Sequence, residues 1–152
     1  MKGELNLPST HKTKFTKEEI VRILKEVLEK EKNVQFALLF GSYARGDYFP
    51  FSDIDVAVYL KEYKPNDLRY EAKLEQKLMS LLKTDNVDLV ILNEAPPALK
   101  YEIVTEGELL FARDFDDFCF YYSYVLREFF DYRYHLKKFF KNAIENLRRK
   151  TV

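Results

Sequence analysis

The sequence predicts a small α/β or α+β domain of roughly a hundred residues, followed by a long aromatic helical segment. Up to residue 112, short apolar runs of strand length alternate with stretches whose apolar residues recur every three or four positions. Beyond residue 114 only the helical period remains, with no Pro or Gly to interrupt it. Apolar residues make up 47% of the 152, enough for one sizeable core.

Residues 1 to 14 are polar, carry Pro8, and read as a loose lead. Thr16 followed by Glu19 forms a capping box. The helix it opens carries Ile20, Val21, Ile23, Leu24, Val27 and Leu28 on one side and should run to about Lys32. Val34 to Phe40 (VQFALLF) is a short apolar run with Leu38, Leu39 and Phe40 consecutive, as expected of a strand covered on both faces at the centre of a sheet. Gly41 to Phe51 is a turn region. Ser52 to Leu60 alternates, placing Asp53, Asp55, Ala57 and Tyr59 on one face and Ile54, Val56, Val58 and Leu60 on the other. Pro65-Asn66-Asp67 opens a second helix, to about Leu82, and Val87 to Leu92 is a further strand with Asp88 near its start. Pro96 and Pro97 suit the start of a helix that Gly107 stops, and Glu108 to Ala112 is a last strand.

Charge and cysteine content exclude several classes. Twenty-five basic and 25 acidic residues balance to zero, which argues against a chain devoted to non-specific nucleic-acid binding. The single cysteine, Cys119, can build neither a disulfide framework nor a cysteine zinc site, and is expected in the core. The N-terminus lacks the apolar run of a signal peptide, and no apolar stretch approaches membrane-spanning length. A cytoplasmic protein is the expectation. His11 and His135 are isolated and carry no assigned chemistry.

Chemistry concentrates between residues 41 and 55. Aspartates two apart on a strand share a face, so Asp53 and Asp55 can hold a hard divalent cation such as Mg²⁺ between them. If the strand bearing Asp88 lies alongside, a third carboxylate joins the pair, either to complete the metal site or to accept a proton. Gly41, directly after a buried strand, lets backbone N–H groups face a phosphate, and Ser42 adds a hydroxyl. Arg45 is placed to counter phosphate charge. Taken singly, each feature has a plainer reading: a solvated strand start, an acid after a turn, an ordinary glycine turn. No Gly-Lys-Ser/Thr string is present, so a P-loop ATPase is unsupported.

Together they are specific. Gly41-Ser42, ten intervening residues and Asp53-Ile54-Asp55 resemble the signature of the nucleotidyltransferase superfamily that includes DNA polymerase beta. The longer string, Gly-Ser-Tyr-Ala-Arg-Gly-Asp and then Ser-Asp-Ile-Asp-Val, is similar to that of its smallest members, the minimal nucleotidyltransferases. The resemblance spans about Thr16 to Ala112, and Val87-Asp88-Leu89-Val90 matches the place of the family's third acid. It implies an α+β fold with a small mixed sheet, a nucleotidyltransferase domain over 15–112 and a helical extension over 113–152. It also implies Mg²⁺-dependent transfer of a nucleoside monophosphate from ATP, with Asp53, Asp55 and Asp88 as catalytic and metal-binding residues and Gly41, Ser42 and Arg45 on the nucleotide. By the same analogy the partner is a HEPN-domain RNase toxin, silenced by AMP placed on one of its tyrosines. The alternatives are a small-molecule acceptor such as an aminoglycoside, or an antitoxin that acts by binding alone.

The tail offers a second clue. Phe118, Tyr122, Val125, Phe129, Tyr132, Leu136, Phe139, Ala143 and Leu147 make one stripe, with Phe120, Tyr121, Tyr124, Phe130, Tyr134 and Phe140 mostly off it. Either the helix is buried on two sides or it offers a surface for a partner or a second copy. The basic end, from Lys137 to Lys150, reads as a solvated helix face.

Overall fold

The structure, a computed structural model, describes residues 13–151. The lead expected over 1–14 therefore lies almost wholly outside the described residues, as does His11. Helix α1 (Lys17–Lys30) starts on the expected capping box: the Thr16 hydroxyl accepts from the Glu19 N–H, and the Glu19 carboxylate accepts from the Thr16 N–H. Strand β1 (Val34–Phe40) is buried along almost its whole length. A four-residue helix, α2 (Ser42–Arg45), leads through a loop to β2 (Ile54–Leu60). Then come α3 (Leu68–Leu82), β3 (Val87–Ile91), α4 (Pro97–Glu106), β4 (Glu108–Ala112) and the 36-residue α5 (Phe115–Lys150).

The four strands form one sheet in the order β3-β2-β1-β4. Strand β1 pairs antiparallel with both β2 and β4, whereas β2 and β3 run parallel, so the sheet is mixed and the fold is α+β. The apolar run of β1, broken at Gln35 alone, has its explanation here, since helices cover both faces of a central strand. Ile54, Val56 and Val58 point to one face, where they pack with Ile20, Leu24 and Leu28 of α1 and with Leu74, Leu78 and Leu82 of α3. Ala57 points to the other, packed with Phe36, Leu38, Phe40, Ile103 of α4 and Phe118 of α5. Gly107 ends α4 so tightly that a Cβ there would lie 2.3 Å from the Ile103 carbonyl oxygen of α4 and 3.1 Å from the Leu39 carbonyl oxygen of β1.

Two expectations change, and the tail takes one of the forms the sequence left open. Strand β2 starts at Ile54 rather than Ser52, because Ser52 is held in a turn: its hydroxyl accepts from the Phe49 N–H, and its own N–H donates to the Phe49 carbonyl. Cys119 is exposed, since α5 turns Phe118 and Tyr122 toward the sheet and Cys119 away from it. The long helix is one continuous rod, buried at Phe118 and Val125 and exposed from residue 131 to 150 except at half-buried Ala143.

Candidate active site

The site lies where β1 ends and β2 and β3 begin. Parallel pairing puts Asp55 in register with Asp88, so the two carboxylates stand on neighbouring strands, on the face of the sheet that carries Ala57. The register is pinned locally. The Ile54 N–H donates to the Asn86 carbonyl at 2.8 Å, and the Asn86 side-chain amide donates to the Phe51 carbonyl. Asp53 precedes the strand and is exposed, as is Asp88, while Asp55 is half-buried between them. The expected sharing of a face by Asp53 and Asp55 therefore rests on the loop that delivers Asp53, not on strand alternation.

Asp55 also faces the end of β1, where it is the partner of Phe40. Next comes Gly41, at φ +72°, and a Cβ built there would sit 2.1 Å from the Asp55 carboxylate oxygen Oδ2. Both the left-handed backbone and the contact demand glycine. The glycine of the turn and the second aspartate of the pair are thus one packed unit, although 14 positions separate them in the chain.

From Gly41 the chain enters α2, where the N–H groups of Ser42, Tyr43 and Ala44 open a helical turn and have no acceptor inside it. Tyr43 anchors that turn: it is buried in the core and stacks on Tyr48 with ring centroids 4.2 Å apart. Gly46 closes the turn in the left-handed conformation. Arg45 is exposed and donates through Nε to Asp47 at 3.4 Å, a solvent-screened pair that leaves the guanidinium free to turn toward an anion.

Electrostatics bind these parts together. The Asp55 carboxyl is pushed up to about 6, first by burial and then by the charges of Asp88 and Asp53, with Arg45 pulling the other way. Glu102 on α4 adds to the same field. Nothing in the sequence pattern singles it out, because it reaches the site only through the packing of α4 on the sheet. Among the described residues no three acidic, His or Cys groups already form a metal cage. What is present is a pair of facing carboxylates, a third acid beside them and a repulsive field that a cation would relieve. That donor set fits Mg²⁺, which takes one or two carboxylates and draws its remaining ligands from water and substrate phosphates.

The family model described as "Polymerase beta, Nucleotidyltransferase" matches residues 22–116, which include every one of these site residues. The chain belongs to that family. Over 101 residues it is 40% identical to the protein adenylyltransferase MntA of Shewanella oneidensis, covering 66% of this chain and 68% of the relative. Among solved structures, a toxin-antitoxin complex with AMP-PNP contains a similar chain, with a TM-score of 0.65 and 29% identity over 86% of this chain and 99% of that one. A tri-AMPylated Shewanella oneidensis HEPN toxin in complex with MNT antitoxin matches with the same TM-score at 27% identity, over 85% of this chain and 99% of its counterpart. The expected membership among nucleotidyltransferases and the α+β fold are both borne out.

Proposed function

We propose that the protein is an Mg²⁺-dependent adenylyltransferase antitoxin, which moves AMP from ATP to a tyrosine hydroxyl of a partner HEPN RNase toxin and so silences it. The observation that carries this reading is the contact of Gly41 with Asp55, with Asp88 in register beside them. A phosphate-binding turn and a set of carboxylates are built there as one piece. The 40% identity to a protein adenylyltransferase favours a protein acceptor over a small molecule.

In this reading Asp53 and Asp55 would hold Mg²⁺, which supplies charge neutralisation on the triphosphate when bound. Gly41 and the Ser42 hydroxyl grip the β- and γ-phosphates, and Arg45 leaves Asp47 to offset the charge that grows on the departing pyrophosphate. The acceptor oxygen attacks the α-phosphorus, the bond to the bridging oxygen breaks, and pyrophosphate leaves. Asp88, exposed on the edge strand, is the carboxylate best placed to take the hydroxyl proton. The chain's contribution is positioning and field rather than covalent chemistry. Among the described residues no helix is long and apolar enough to cross a membrane. We place the reaction in the cytoplasm, where ATP and its toxin meet.

The test is the intact mass of the toxin after incubation with ATP, Mg²⁺ and the chain. One or more increments of AMP are expected with the natural sequence and none with the Asp53→Asn/Asp55→Asn double variant. Transfer that persists in the double variant overturns the assignment of the acids.

A further inference from the structure

The last twenty residues of α5 present a surface that the domain does not use. Up to Phe129 the helix lies against its own protein: Phe118 and Tyr121 meet Phe36, and Tyr101 of α4 stacks on Phe129 with ring centroids 4.0 Å apart. The apolar face does not stop where the domain does. At 100° per residue, Tyr132, Leu136, Phe139, Phe140, Ile144 and Leu147 continue it over an arc of about 140°. All six are exposed, Phe139 at 66% and Leu147 at 64%. With such side chains offering roughly 150–250 Å² each when fully exposed, the arm leaves on the order of 600 Å² of apolar surface in water. That exceeds an incidental patch and approaches one partner's share of a standard protein interface.

Width and charge decide what covers it. A two-stranded coiled coil buries a narrow seam and sets its pairing with opposite charges beside the seam. Here the arc is twice as wide as such a seam. With Tyr132 and Phe139 at the d positions and Leu136 and Ala143 at a, the flanking e and g positions hold Arg133 and Arg149 and no acid. Residues 131–150 contain seven basic and two acidic side chains in a chain whose total charge is zero. Two copies laid together would gain no opposite-charge pair beside the seam, whereas a partner with an acidic rim would be attracted. A broad apolar arc of Phe, Tyr and Leu beside a basic face suits the groove of a folded protein better than a polyphosphate chain.

We propose that residues 131–150 of α5 are a docking arm for the protein acceptor, seating their apolar arc in an apolar groove whose rim is acidic. Because the first half of α5 is packed on the sheet face that carries Asp55 and Asp88, an acceptor held by the arm is tethered to the protein on that same face. The proposal rests on the acceptor being a protein, as the proposed function has it.

The experiment uses the full chain and the HEPN-domain toxin of its own genome. Phe139→Asp/Phe140→Asp lies wholly on exposed positions and should fold normally, with its affinity for Mg²⁺-ATP unchanged. Its affinity for the toxin is expected to fall at least 100-fold, while the natural chain alone sediments as a monomer. Equal toxin affinity in the double variant overturns the proposal. So does a natural chain that dimerises through these phenylalanines, or one that uses the arm to retain RNA. Asp55→Asn separates the two readings: it should leave toxin binding intact and remove only AMP transfer. Toxin held by the arm but never modified would sink the activity and leave the docking surface standing.

Discussion

Gly41 and Asp55 account for more of this site than any other pair of residues. Alanine at position 41 meets two penalties, a positive φ worth about 1–2 kcal/mol and a steric clash with a carboxylate oxygen. Gly41→Ala is expected to lose about 2–4 kcal/mol of stability by urea denaturation. In an Asp55→Ala background the loss should shrink toward the φ penalty alone, which a double-mutant cycle will show as coupling of about 1–2 kcal/mol. Asp55 has its own signature against pH. Its folded-state pKa is raised to about 6 from an ordinary 3.8, so the folded chain binds more protons than the unfolded chain between those values. The stability it contributes is fully present below pH 4 and is lost as pH rises through 6. After allowance for solvent screening of a half-buried group, the loss is about 1 kcal/mol. Asp55→Asn should therefore be more stable than the natural chain at pH 7.5 without ligand, and equal to it near pH 4. Mg²⁺-ATP should reverse the order at neutral pH, because it binds the natural site. Thermal melts with and without the nucleotide check all three outcomes.

At the scale of elements, α5 is one helix in two environments. Phe118 is 9% exposed against the sheet and Phe139 is 66% exposed, so the same truncation should have opposite weight. Phe118→Ala is expected to destabilise the free chain by about 3 kcal/mol through a cavity, and Phe139→Ala by less than about 0.5 kcal/mol. Urea midpoints of the two variants decide it. The stripe at spacings of three and four was legible in the sequence because periodicity depends on the helix alone. Where the covering stops was not legible, since that depends on how far α4 and the sheet reach along the rod. A similar limit shows at Asp53. Alternation placed it in β2, but the Phe49–Ser52 turn delays the strand by two residues, and side-chain hydrogen bonds of that kind leave little trace in an apolar/polar pattern. Strand β1 was readable to the residue, since an apolar run between Asn33 and Gly41, broken at Gln35 alone, admits few other arrangements. The pairing of Asp55 with Asp88 needed the parallel register of β2 and β3, and Glu102 needed the packing of α4. The family resemblance pointed to Asp88 as a third acid, its approach to Asp55 conditional on the two strands lying side by side, and nothing foretold Glu102.

Over the whole molecule, a total charge of zero hides a division. The arm carries a surplus of five positive charges, so the remaining residues carry a net charge of minus five, with the acids Asp53, Asp88 and Glu102 gathered around Asp55. Each half of that division suits a different task. A negative cluster raises the local concentration of Mg²⁺, while a positive arm, about 30 Å long at 1.5 Å per residue, steers an acidic partner from a distance. Steering acts on encounter more than on the lifetime of the complex where the lysines, Lys138 and Lys141, lie off the apolar arc and stay in water. Reversing them should therefore slow arrival without loosening the grip. Lys138→Glu/Lys141→Glu is expected to cut the association rate with the toxin at least tenfold at low salt, with the dissociation rate within about threefold of the natural chain. At 0.5 M salt the two association rates should converge, since the screening length is then only a few ångströms. Stopped-flow binding across a salt series separates this from a contact role. Lysines that touch the partner directly would raise the dissociation rate as well, and that difference would survive high salt.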